Sequence, residues 1–187
     1  PVTMNANNLV IGETYLIAVD GVGDATSAFQ ICLNSYVPTA GPPNDDCVNA
    51  IALCPGQNYT ATTEDATNTS AINDADWTCN AVLDNVIWYT YVANTPVEDV
   101  VFDLSGTSTG GDPVQFGVFE FTGGGSPCDN PGGNNFNGLE CNSSILSSGS
   151  TTVTVSAADM TAGETYYINV DNWPGAVVTV DFTVTGN

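Results

Sequence analysis

The sequence predicts an all-β chain, an antiparallel β-sandwich of jelly-roll type arranged as tandem repeat modules, and three observations carry that expectation. Short apolar runs alternate with polar residues at the period of a strand, and no segment has helical periodicity. Gly, Asn, Thr and Ser dominate the remainder, which suits pleats joined by turns, because Thr fills a pleat while Asn and Gly tolerate positive φ. A stretch at the start of the chain recurs near its end.

That recurrence sets the organisation. Val2 to Asp20 laid over Val153 to Asp171 matches Gly12-Glu13-Thr14-Tyr15 with Gly163-Glu164-Thr165-Tyr166 without a gap, and Ile17, Val19 and Asp20 fall on Ile168, Val170 and Asp171. Residues 1–37 therefore read as the closing strands of a preceding module, 38–43 as a Pro-rich linker, and 44–187 as a complete module. Closing strands without their partners expose sheet edges, so their partners are expected upstream or on a neighbouring subunit. The start also lacks a signal peptide, so a longer precursor is expected.

Within the complete module, alternation and turn residues place strands at 50–54, 58–63, 86–93, 99–104, 114–121, 151–156, 165–171 and 177–185. Val86-Ile87-Trp88-Tyr89-Thr90-Tyr91-Val92 is apolar on both faces, the pattern of a covered central strand, and puts Trp88 in the core. Ala157-Ala158-Asp159-Met160 has room for a single helical turn. These short strands with Gly, Asn and Pro between them give the sandwich.

Charge narrows the function. The chain has no Lys, Arg or His against 21 Asp and Glu, a net charge of −21. No side chain can form an internal salt bridge, meet a nucleic-acid phosphate or approach an anionic membrane surface favourably. Catalysis that needs His, Lys or Arg is excluded, which leaves carboxylates, hydroxyls and thiols, and no residue pair stands out as acid and nucleophile. The expectation is a protein without catalytic residues. No apolar run reaches the roughly 20 residues of a helical membrane span.

The cysteines, Cys32, Cys47, Cys54, Cys79, Cys128 and Cys141, are even in number and lack the close pairs of a zinc site, so they read as disulfides from an oxidising compartment. Cys128–Cys141 would close a Gly- and Asn-rich loop, with roughly 3 kcal/mol of stabilisation from chain entropy. Cys47–Cys79 with Cys32–Cys54, or Cys32–Cys47 with Cys54–Cys79, completes the set. The candidate Ca²⁺ ligands are Asp45 and Asp46 beside the linker and Asp20 and Asp171 at equivalent strand ends, since hard oxygens near turns suit that ion. The same residues also suit turns and caps. Trp77 and Trp173, in expected loops, are candidates for stacking on a sugar or a neighbouring chain.

The runs Pro43-Asn44-Asp45-Asp46-Cys47-Val48-Asn49-Ala50-Ile51-Ala52-Leu53, Asn85-Val86-Ile87-Trp88-Tyr89 and Gly163-Glu164-Thr165-Tyr166-Tyr167-Ile168-Asn169-Val170-Asp171 resemble the repeat domain of large Bacteroidetes cell-surface proteins. That domain is similar to the pre-peptidase C-terminal and CUB-like β-sandwiches. The resemblance implies export to the bacterial cell surface, as in gliding-motility adhesins and type 9 secretion cargo. Where the family often has an acidic pair after the late cysteine, this chain has Asn142-Ser143-Ser144 after Cys141. The expected function is a non-catalytic structural or adhesive segment of an extracellular protein. Its expected partners are neighbouring modules, other subunits, surface glycans or proteins, and not nucleic acid or membrane. The alternatives are a ligand-binding accessory module of a secreted enzyme and a filament subunit completed by strand addition.

Overall fold

The chain divides into two compact units, Pro1–Tyr36 and Val37–Asn187. The computed structural model describes residue 16 and residues 41–67, 83, 85–94, 97–108, 114–124, 128, 135–145, 148–172 and 177–186. Apart from Leu16, the repeat in residues 1–37 lies outside the described residues, as do Asp20, Cys32, Cys79, Trp77 and Trp173.

The described part of the second unit is all-β. Its strands are β1 (Ile51–Ala52), β2 (Asn58–Thr62), β3 (Ile87–Val92), β4 (Val100–Ser108), β5 (Val114–Phe121), β6 (Phe136–Ile145), β7 (Ser148–Val155), β8 (Thr165–Asn172) and β9 (Val178–Thr185). Single 3₁₀ turns occupy Cys47–Asn49 and Ala157–Asp159. One sheet has the order β1-β3-β8-β5-β6 and the other β2-β9-β4-β7.

Strict alternation makes the core. In β9, Val178, Val180, Phe182 and Val184 are buried while Thr179, Asp181 and Thr185 are exposed. These residues share one apolar cluster with Phe102 and Leu104 of β4, and with Tyr89 of β3, Phe116 of β5 and Ile168 of β8 from the other sheet, so the two sheets face each other in a β-sandwich-like arrangement. Phe182 meets Tyr89 edge-on at 5.2 Å and Phe116 at 6.1 Å across the gap. Each such side chain contributes roughly 1.5–3 kcal/mol by leaving water.

β3 is buried on both faces. Ile87, Tyr89 and Tyr91 enter the shared core, whereas Trp88 enters a second cluster with Cys47, Leu83, Val86, Phe119 and Phe136 on the outer side of the five-stranded sheet. The two-sided apolar pattern thus records a sheet covered by its partner on one face and by chain segments on the other.

The motif Gly163-Glu164-Thr165-Tyr166 has a local cause. Gly163 takes φ +86°, and Glu164 N–H donates to the Thr161 carbonyl at 3.2 Å, which closes the turn into β8. Gly163 N–H then donates to the Ala93 carbonyl and Ala93 N–H to the Glu164 carbonyl, which fixes the β3–β8 register. The Tyr166 hydroxyl accepts from Thr161 N–H at 2.7 Å.

Two expectations need correction. β6 is absent from the expected strands and its first three residues fall in the expected loop; its Asn, Gly and Ser give little alternation, and it forms because β5 offers a free edge, with register shifts at Val114/Phe116 and Val118/Phe119. The sheets are also not wholly antiparallel, since β1 runs parallel to β3 through Ile51–Tyr89 and Ala52–Thr90.

Candidate functional site

Two places in the second unit are candidate sites: the segment that enters it at residues 44–47 and the outer face of the four-stranded sheet. At the entrance, buried Asn44 donates through Nδ2 to the Trp88 carbonyl at 2.8 Å, and Trp88 N–H donates back to the Asn44 carbonyl at 2.9 Å. Asp45 accepts from Thr67 with both carboxylate oxygens, from N–H at 2.7 Å and from Oγ1 at 2.8 Å. Three residues on, the 3₁₀ turn tucks Cys47 under the second apolar cluster, where it bonds to Cys128 with a Cα–Cα distance of 5.5 Å.

This bridge overturns the expected Cys128–Cys141 and Cys47–Cys79 pairs and the alternative Cys32–Cys47 pair. The reason is three-dimensional: Cys128 and Cys47 converge on the outer side of the five-stranded sheet although 81 residues separate them. Cys141 is disulfide-bonded to a partner outside the described residues. Cys54 is a free, exposed thiol just after β1, which corrects its expected pairing with Cys32 or Cys79.

Among the described residues the candidate cation ligands form no group of three. Asp45 serves the entrance clamp, Asp46 is exposed on the same segment, and Asp171 is buried on β8, where it accepts from Asn85 N–H at 2.9 Å. Among the described residues no three His, Cys, Asp or Glu side chains are grouped to hold a metal ion.

The second place was not singled out by sequence. The outward positions of the four-stranded sheet are Asn58 and Thr60 on β2, Asp181 and Thr183 on β9, Asp103 and Ser105 on β4, and Ser150 on β7, and they line an open cleft of about 510 Å³. Register orders them in rows: Thr60, Asp181, Ser105 and Ser150 stand side by side, and next to them Asn58, Thr183 and Asp103. Thr60 Oγ1 donates to Asp181 Oδ1 at 2.6 Å. The rings of Tyr59 and Phe182 stack on each other at 5.4 Å on the core side, so the cleft offers hydroxyls and carboxylates rather than an aromatic platform. The signal was present in the polar half of the alternation, in Thr-Val-Asp-Phe-Thr and Asp-Leu-Ser.

Burial raises the pKa of Tyr89, Tyr91 and Tyr167 above the ordinary phenol value, and at Tyr89 a hydrogen bond from Asn44 partly opposes it. No family model matches this chain, and no curated protein matches it.

Proposed function

We propose that the chain is a stretch of a large extracellular bacterial surface protein in which jelly-roll modules repeat in tandem, and that the module is a non-catalytic structural or adhesive element. The strand order β2-β9-β4-β7 opposite β3-β8-β5-β6 is the order that two interleaved Greek keys give, which supports the jelly roll. The observation that carries the mechanical reading is the clamped entrance. Tension arriving through the chain before residue 44 meets the reciprocal Asn44–Trp88 bonds, the Asp45–Thr67 bonds and the Cys47–Cys128 bridge within four residues. A load delivered there passes directly to β3, a strand buried on both faces.

Single-molecule pulling of the chain tests it. With the bridge intact, the unfolding length should lack the 81-residue span between the cysteines, and reduction, which also opens the Cys141 disulfide, should restore at least about 280 Å of contour. Asn44→Ala should lower the unfolding force. Equal unfolding forces for wild type and Asn44→Ala would remove the support for a load-bearing entrance.

The cleft favours a second reading, a binding module for polyols or glycans. Titration against a panel of soluble polysaccharides, with Asp103→Ala and Asp181→Ala as controls, separates the two. Saturable binding lost in both variants would make ligand capture the primary function.

A further inference from the structure

The outer face of the five-stranded sheet holds a polar group of residues that the entrance and the cleft do not use. Gln115 on β5 and Asn169 and Asp171 on β8 are each 0% exposed. Their neighbours Val114, Phe116, Ile168 and Val170 belong to the shared core, so by alternation the three point to the opposite side, beneath the second apolar cluster. Gln115 stands directly across from Asp171, and Gly117, which has no side chain, stands across from Asn169. Asn169 and Asp171 are two residues apart on one face, and Trp88 flanks Asn169 from β3.

Among the described residues their hydrogen bonding is incomplete. Both carboxamide atoms of Gln115 and both of Asn169 are buried without a partner, as is Trp88 Nε1. An atom left so keeps the full cost of losing its water. Asp171 adds a carboxylate in the same buried layer. It accepts from Asn85 N–H, but no side chain anywhere in the sequence can bring a positive charge to it.

We infer that this layer binds one divalent cation of the Ca²⁺ type, held by the Asp171 carboxylate with the side-chain oxygens of Gln115 and Asn169. The donor set is all hard oxygen, and the Asn-x-Asp spacing on one strand with Gln across the ladder brings three such oxygens within reach of one point above Gly117. The carboxamide N–H groups and the indole N–H, which an ion cannot satisfy, fall to water that completes the coordination shell. One carboxylate with neutral oxygens is a low ligand charge, so the affinity belongs to the extracellular range, a Kd of about 10⁻⁴–10⁻³ M. The site differs from the acidic residues beside the linker and needs none of them.

Terbium luminescence sensitised by tryptophan provides the measurement, because Trp88 lies next to the site. The full chain, stripped by chelator and held at high monovalent salt, is titrated with Tb³⁺ and then competed with Ca²⁺. The expected result is a saturable signal of one ion per chain that Ca²⁺ removes. That signal should vanish in Asp171→Asn and Gln115→Met, and persist in Glu98→Gln/Asp159→Asn, which removes two exposed carboxylates outside both the layer and the cleft. Circular dichroism of the metal-free proteins shows whether each variant folds; Gln115→Met, which replaces an unpaired amide with an apolar chain of similar size, should fold without the ion. A folded Gln115→Met with an undiminished signal overturns the proposal. So does a wild-type chain with only weak, non-saturating binding.

Discussion

Asn44 illustrates how much a single residue can fasten. It is buried and exchanges hydrogen bonds with the main chain of Trp88 from a position just after the linker, so its removal leaves a buried carbonyl unpaired. Asn44→Ala should therefore cost about 1–3 kcal/mol, read as a lower urea midpoint at unchanged slope. The burial of Trp88 was legible in the sequence because an apolar run that ignores alternation can only be covered on both sides. The partner of Cys47 was not legible, since pairing depends on which loops meet above a sheet and not on spacing along the chain. The buried phenols give a second expectation. Tyr89, Tyr91 and Tyr167 hold their protons above the ordinary phenol pKa in the folded chain, whereas the unfolded chain releases them near about 10. Above that pH the unfolded state binds fewer protons, so stability is fully present below about pH 10 and declines as pH rises toward the folded values. Spectrophotometric titration at 295 nm should show these tyrosines ionising late, together with unfolding; early ionisation of all tyrosines in the folded chain would contradict their burial.

Strand by strand, legibility follows burial pattern. β9 announces itself through clean alternation and β8 through Tyr166, Ile168 and Val170 at every second position, and both are central: β9 is bonded to β2 and β4, and β8 to β3 and β5. β6 gives almost no such signal. Its sequence, Phe-Asn-Gly-Leu-Glu-Cys-Asn-Ser-Ser-Ile, resembles loop because an edge strand has little to bury, and among its described side chains only Phe136 is buried. The polar cleft was missed for the complementary reason: a regular outer face looks like ordinary solvated strand until register shows which polar residues stand together. These differences predict unequal stability. Phe182→Ala, which empties the centre of the shared core where Tyr59, Tyr89 and Phe116 meet, should cost about 3–5 kcal/mol. In native-state hydrogen exchange, amides of β8 and β9 should open only with global unfolding, while the two-residue β1 opens locally. Equal protection of β1 and β9 would contradict the ranking.

For the whole molecule the dominant fact is charge of one sign. With a net charge of −21 and no basic side chain, every long-range interaction between side chains is repulsive, and folding concentrates those charges. The core offsets this because its apolar faces are continuous across both sheets, while the carboxylates of the four-stranded sheet, Asp103 and Asp181, stay at outward positions. Repulsion between exposed groups acts over roughly 10 Å at 0.1 M salt and over about 3 Å at 1 M. Monovalent salt should thus raise the Tm smoothly across that range, whereas a protein with internal salt bridges loses attraction as well as repulsion. Ca²⁺ at matched ionic strength should add a further, saturable rise, since a bound ion stabilises the folded state according to its concentration relative to Kd. Scanning calorimetry in NaCl, MgCl₂ and CaCl₂ at equal ionic strength separates the two effects. A Tm insensitive to salt would show that the folded and unfolded chains feel the same repulsion, and the uniform charge would then act on solubility and not on the stability of the fold.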